Sequence, residues 1–308
     1  MYFNFKKIDY HLPDDYIEIA NLQNEISEWN TDKVIAKTGV KRVYRSNKSV
    51  LDLIKDLSKK LNPDDIDQLN VLLTVSQTYG TPLPALSNII QDILNIKKNV
   101  VAFDIGLGCS GFVYALYNAL SLMKTSTYQK ALLFFSDTYS HYIEKDNRSI
   151  YPLFSDCASF VIVSNEPVHK IIDFDFGSDG SGAKHLQMIS SPTNEKKIIM
   201  NGSEVFMFTM STVPDSIQLV LNKNNLKISD ISYYLFHQAS KIVLDNLKRK
   251  LNLSDDQLLS FFEETGNTVS SSIPILLSKY SKSFKKGDKI IISAFGVGLS
   301  WGTLLIEW

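Results

Sequence analysis

The chain has only two cysteines in 308 residues, Cys109 and Cys157. They form no C-x-x-C pair, and no His or Cys stands beside either at ligand spacing, which argues against a zinc site. Two such distant cysteines make no disulfide framework, so each is weighed alone against the usual state of a free Cys, a small buried hydrophobe. Charge of one sign is lacking too. Lys and Arg number 32 and Asp and Glu 33, a net charge of −1, so no overall field favours nucleic acid or an anionic membrane. No uncharged apolar run reaches the ~18 residues of a membrane span. The opening "MYFNFKKIDYHLPDDY" has no apolar core of the signal-peptide kind. We therefore expect a cytoplasmic protein with no metal and with neither nucleic acid nor membrane as partner.

What is present is ordinary globular material, 44% hydrophobic and 21% charged, enough to bury a sizeable core. Length allows one large domain or two of about 150 residues. "NVLLTVS" (70–76), "NVVAFDI" (99–105), "KALLFFSD" (130–137) and "SFVIVS" (159–164) read as buried strands. Helical stretches lie around Leu83–Leu94 and Ser110–Met123. A second helical region begins at "EVFMFTM". The strand "YYLFH" (233–237), the helix "SKIVLDNLKRKL", the strand "KIIISAF" (289–295) and the last strand "GTLLIEW" follow. Alternation of this kind predicts an α/β fold with a largely parallel sheet. Residues 165–200, rich in Asp, Gly, Ser and Lys, read as the most linker-like region, between two halves of similar grammar.

Four places carry chemistry. In "VVAFDIGLGCSGFVYAL", Gly106, Gly108 and Gly111 spell G-x-G-x-x-G between a strand and a helix, the context of a dinucleotide-binding turn. About 100 residues precede it, and the nearest acidic candidate for a ribose, Asp137, lies 26 positions beyond Gly111, where ~20 is expected. Cys109 offers a different reading. A thiol at a helix start meets unpaired N–H groups and the positive end of the macrodipole, which favours the nucleophilic thiolate. His237 ends an apolar strand with a helix directly behind it, where α/β proteins place working groups. Asn267 stands in a Gly266-Asn267-Thr268 turn, as a cap or as an amide donor. Gly296, Gly298 and Gly302 follow a strand with no room for a nucleotide-binding helix, so this turn more simply points a backbone N–H into a pocket.

Together these stations resemble the β-ketoacyl-acyl-carrier-protein synthase III family, within the thiolase-like superfamily. The family's "D-[IV]-x-x-x-C-x-G-F" stands here as "DIGLGCSGF", its "HQAN" as "HQAS", its "GNT" as "GNTVSSSIPILL" and its "FGxGxxWG" as "FGVGLSWG". "KTGV" (37–40), "LFSD" (153–156), "SDGS" (178–181) and "MNGSEVFMF" (200–208) follow the same order. The resemblance implies a five-layer αβαβα fold of two duplicated halves, here 1–168 with Cys109 and 169–308 with His237 and Asn267. It makes the glycine fingerprint a coincidence of pattern.

It also implies an acyltransferase with no permanently bound cofactor, acting on coenzyme A or phosphopantetheine thioesters. Cys109 would take the acyl group, with the backbone N–H groups of Cys109 and Val297 as oxyanion hole. His237 and Asn267 would hold the enolate left when a malonyl thioester, as malonyl-carrier protein, loses CO2. Condensation then gives a 3-oxoacyl product. Lys37 and Arg148 match positions that contact coenzyme A, and Trp29 a tryptophan that stacks on its adenine. Lys241, Lys248 and Arg249 form a basic helix edge suited to an acidic acyl carrier protein. A homodimer is implied, with "TPLPALSN" (81–88) at the contact. Ser240 in place of Asn, and Cys157 and Ser159 in place of Gly, depart from the pattern. These departures point to a pathway-specific member in fatty-acid, polyketide or secondary-metabolite synthesis. Two other readings stay open: acyl transfer to an alcohol or amine without decarboxylation, and a non-catalytic partner subunit of a heteromeric synthase.

Overall fold

A computed structural model describes residues 1–25, 29–190 and 195–308. Nine strands form one sheet: β1 Tyr2–His11, β2 Val71–Val75, β3 Val101–Ile105, β4 Lys130–Asp137, β5 Cys157–Ser178, β6 Tyr233–Phe236, β7 Leu258–Leu259, β8 Lys289–Gly296 and β9 Ser300–Glu307. Across the sheet the order is β7-β6-β8-β9-β5-β4-β2-β3, with β1 laid on β5. The longer helices are α1 Thr31–Thr38, α2 Val50–Ser58, α3 Leu86–Ile93, α4 Gly111–Lys124, α5 Gly202–Lys223, α6 Lys241–Leu251 and α7 Ser272–Tyr280.

Period-two alternation in the strands builds the layers, because successive side chains face opposite sides of a sheet. In β4, Ala131, Leu133 and Phe135 pack inward with α4 and α7, while Leu132 and Phe134 face α2 and α3. In β8, Ile290, Ile292 and Ala294 join the same inner layer, while Ile291 and Phe295 pack on the side of α5 and α6. Both faces of each half of this continuous sheet are therefore covered, with α4 and α7 on the face the two halves share, as the resemblance to the thiolase-like superfamily implies. It also explains why β4 and β8 read as nearly continuous apolar runs.

Two sequence expectations are corrected. The sheet is mixed: the β2–β3, β2–β4, β6–β7 and β6–β8 pairs are parallel, but β8–β9, β9–β5, β5–β4 and β1–β5 are antiparallel. The stretch from 165 is not a linker. β5 runs for 22 residues to Ser178, followed by a 3-10 helix at Gly180–His185 and the paired strands Leu186–Ser190 and Lys196–Met200. The first part of β5 pairs with β4 and its second part with β9, so one strand belongs to both halves and residue 168 lies inside it.

Candidate active site

The turn that carries Cys109 is shaped by what lies behind it. A Cβ on Gly111 would overlap Val75 Cγ1, and one on Gly108 would overlap the Gln77 side-chain oxygen, so both positions are reserved for protein contacts. Gly106, the first glycine of the G-x-G-x-x-G pattern, has nothing within 4 Å of an added Cβ. Gln77 Nε2 donates to the Gly106 carbonyl at 3.2 Å and Tyr139 OH donates to Gln77 Oε1 at 2.6 Å, fixing the turn from below. Cys109 follows at 4% exposure, immediately before Ser110, the N-cap of α4.

The end of β8 meets Cys109 from the other half. An added Cβ on Gly296 would lie 2.7 Å from Cys109 Cβ and 3.1 Å from its Sγ, so only a residue without a side chain permits this approach. Ser110 Oγ and Ser300 Oγ are 2.8 Å apart, and Ser300 Oγ donates to the Val297 carbonyl at 2.6 Å. These two hydroxyls tie the turn of Cys109 to the turn of Val297. Sequence reasoning missed them, because a bond across 190 residues leaves no local pattern.

His237 lies beside the same strand. Its N–H donates to the Ser293 carbonyl at 2.9 Å, and its ring stands edge-on to Phe295 with centroids 5.7 Å apart. Nδ1 is 2.8 Å from Ser272 Oγ, at the start of α7. Gln238 prepares this corner, donating to the Phe236 carbonyl at 2.8 Å and accepting from Phe261 N at 2.9 Å. Ser240 begins α6 with no side-chain cap bond.

Asn267 reaches the site from a loop braced on both sides. Its N–H donates to the Leu153 carbonyl at 2.8 Å and its carbonyl accepts from Ser155 N at 2.9 Å, which gives the "LFSD" segment its purpose. Gly266 has φ +63° and ψ −168°, and a Cβ there would stand 2.7 Å from Ser155 Oγ, so glycine is required. The Asn267 side-chain oxygen accepts from Val269 N at 2.9 Å, which leaves its amide N–H2 group as the donor on offer. Val269 itself has φ +52°, a sparsely populated conformation for a β-branched residue, held beside the site.

Electrostatics contradict one expectation. The Cys109 thiol is pushed up to about 12, chiefly by burial and further by the Asp137 carboxylate, so the helix start does not make a resting thiolate. Burial lowers His237 to about 3 against a smaller upward pull from the Val269 carbonyl, so the imidazole is neutral at working pH. The second cysteine, Cys157, is buried and also pushed up to about 12, and its Sγ donates to the Ala158 carbonyl at 3.4 Å.

The remaining candidates are spread over the surface, apart from Trp29. Its ring is 2% exposed and edge-on to Tyr151 at 6.2 Å, so it is a core residue with no open face for an adenine, and that expectation is corrected. Lys37, in the last turn of α1, and Arg148 are exposed. On α6, Lys241 pairs with Asp245 at 2.6 Å and Lys248 with Asp255, while Arg249 is exposed and donates to Asn246 at 3.4 Å. Leu83, in the segment expected at a dimer contact, is 80% exposed.

A mixed sheet covered by helices on both faces, with buried Cys109 and His237 beside its strand β8, fits the thiolase-like class of acyltransferases. Within that class, the chain belongs to the β-ketoacyl-[acyl-carrier-protein] synthase III family. Residues 103–180 match the family described as 3-oxoacyl-[acyl-carrier-protein (ACP)] synthase III, and residues 221–308 match its C-terminal counterpart. The chain is 32% identical over 304 residues to the β-ketoacyl-[acyl-carrier-protein] synthase III of Listeria monocytogenes, covering 94% of this chain and 93% of the relative. It is 35% identical over 326 residues to that of Clostridium perfringens, covering 99% of each. In three dimensions it is similar to the 3-oxoacyl-(acyl-carrier protein) synthase of Burkholderia xenovorans, with TM-score 0.90, 26% identity, and coverage of 100% of this chain and 94% of that one.

Proposed function

We propose that the protein condenses an acyl thioester with a malonyl thioester, using Cys109 as nucleophile and His237 and Asn267 as enolate-holding donors. The observation that carries this reading is the Gly296–Cys109 approach, with His237 bonded to Ser293 three residues earlier on the same strand. Cysteine sulfur attacks the acyl carbonyl, and the oxyanion takes hydrogen bonds from the N–H groups of Cys109 and Val297. Such donors are worth about 3–4 kcal/mol each. The acyl–sulfur bond of the donor breaks, and its leaving thiolate ends with the proton of the cysteine thiol. That exchange loads the acyl group on Cys109.

In the second half-reaction the malonyl carboxylate leaves as CO2, and its electron pair passes into the thioester as an enolate. His237 Nδ1 lies 2.8 Å from Ser272 Oγ. With that hydroxyl as donor the ring proton sits on Nε2, the nitrogen that would serve the enolate oxygen. Asn267 supplies the second N–H without ever ionising. The enolate carbon bonds to the acyl carbonyl, the Cys109 thiolate leaves, and a proton from solvent restores the thiol. A neutral His237 suits this role, because a donor is needed there and a charge is not.

Lys37 and Arg148 serve coenzyme A or phosphopantetheine, and Arg249 with Lys241 and Lys248 serves the carrier protein, in the same reading. A second copy covers the exposed Leu83. Cys157, Ser159 and Ser240 support a pathway-specific rather than a housekeeping role. The test is intact-protein mass spectrometry after incubation with a panel of acyl-CoAs, with Cys109→Ala alongside. An adduct on wild type alone, discharged by malonyl-carrier protein with release of CO2, supports condensation. An adduct that clears only with alcohols or amines overturns it in favour of simple acyl transfer. No adduct from any donor revives the partner-subunit reading.

A further inference from the structure

Asp137 ends β4 as a buried carboxylate that no step above uses. One of its oxygens accepts from Gln77 N at 2.8 Å, Thr78 Oγ1 at 3.0 Å and Ser76 Oγ at 3.4 Å. The other accepts from Ser270 Oγ at 3.4 Å. Gln77 is the residue whose side chain holds the Gly106 carbonyl, three positions before Cys109. Ser270 lies three positions after Asn267, and its neighbour Ser271 is clipped to the same strand through the Phe135 carbonyl at 3.1 Å. A single carboxylate thus receives one bond from the support of the nucleophile's turn and one from the loop of the amide donor.

We infer that Asp137 is the positioning residue that locks the Cys109 turn and the Asn267 loop in register across the two halves. The inference rests on the roles proposed above for Cys109 and Asn267. Buried charge is costly, and hydroxyl and amide donors offset it only in part. Burial accordingly pushes Asp137 up to about 7, against the pull of its Gln77, Thr78 and Ser270 bonds. Four other titratable groups face it. Cys109 comes from the turn before α4, Tyr139 and Tyr142 from the turn after β4, and Cys157 lies opposite in β5. Each is shifted upward by burial first and stays neutral near pH 7. Asp156, next to Cys157, has its own donors in Ser46 N and Ser140.

The experiment measures malonyl-CoA decarboxylation beside Cys109 alkylation by iodoacetamide, read by peptide mass spectrometry. Ser270→Ala releases only the Asn267 loop from the carboxylate, so decarboxylation should slow severalfold in kcat with KM unchanged, while alkylation keeps the wild-type rate. Asp137→Asn keeps an acceptor for Gln77 N and should slow decarboxylation less than Asp137→Ala, which should also change the alkylation rate. A Ser270→Ala enzyme with unchanged decarboxylation overturns the inference. So does an Asp137→Ala enzyme that alkylates and decarboxylates like wild type. Because alkylation needs no acyl donor, these outcomes separate a failure of Asp137 from a failure of the condensation reading.

Discussion

Gly296→Ala tests whether the two halves meet at Cys109 as closely as the geometry says. The added methyl would lie 2.7 Å from Cys109 Cβ and 3.1 Å from Sγ, against at least 3.4 Å for ordinary contact. Cys109 or the end of β8 must therefore yield by about 0.7 Å. Overpacking of this kind costs about 1–3 kcal/mol. At roughly 2 °C per kcal/mol for a chain of this size, Tm should fall by about 2–6 °C. Activity should suffer more than stability. A reacting group misplaced by ~1 Å loses about a hundredfold, so loading of Cys109 should slow by one to two orders of magnitude. Gly106→Ala is the control, since nothing lies within 4 Å of its added Cβ. The assay pairs thermal unfolding with the rate of acyl adduct formation by mass spectrometry. A Gly296→Ala enzyme that melts and loads like wild type refutes the reasoning. Equal damage from Gly106→Ala would return weight to a ligand seated in the glycine turn.

Three further outcomes follow from the same geometry. Ser272→Ala removes the hydroxyl that meets His237 Nδ1, so condensation should slow about 10- to 100-fold while acyl loading is unchanged; parallel loss of both would mean the fold, not the imidazole, was damaged. Arg249→Glu should raise KM for malonyl-carrier protein severalfold and leave that for malonyl-CoA alone, and equal KM values for the carrier protein would remove α6 from the docking face. Burial against Phe3, Phe5 and Trp308 lowers His169 to about 4, below its value near 6.5 in an unfolded chain. Its contribution to stability is present above pH 6.5 and is lost as pH falls towards 4. His169→Phe should therefore flatten the acid limb of stability by about one proton, ~1.4 kcal/mol per pH unit, in denaturant titrations at pH 4.5–6.5; an unchanged limb counts against it.

How much of this was legible in the sequence depended on how local the cause was. "KALLFFSD" gives β4 with both ends in place, because a strand buried on both faces has an apolar side chain at nearly every position. The apolar signal of β5 stops at residue 164 for a physical reason. Pro167 lies where the pairing of β1 jumps from Ser164 to His169, and such an irregularity tolerates a residue with no N–H to give. Beyond it, alternating Asp173 and Asp175 on a half-exposed strand read as polar loop. β1 carries no clear strand signal because Lys6-Lys7 breaks its alternation where a register shift also falls. Cys109, His237 and Asn267 stood out because each follows a strand or turn signal. Their supports, Ser110 with Ser300, Ser272 with His237, and Asp137 with Ser270, are contacts between distant segments with no spacing to betray them.

The thiol shows why position on a helix was not enough to judge chemistry. A helix N-terminus stabilises a negative charge by about 0.3–1 kcal/mol, and by ~2 kcal/mol in favourable buried geometry, which is at most about 1.5 pKa units. Burial moves Cys109 the other way, from 9.0 to about 12, roughly 4 kcal/mol with the Asp137 charge included. Burial together with the Asp137 charge therefore outweighs the dipole, and Cys109 rests as a thiol. In the proposed reaction the dipole and the N–H groups of Cys109 and Val297 would act where charge appears, on the oxyanion and the departing thiolate, and not on the ground state. A protonated, nearly inaccessible cysteine resists stray oxidation and alkylation between turnovers. In the proposed loading step its proton would leave together with the donor thiol, which ties reactivity to the arrival of a thioester in the site.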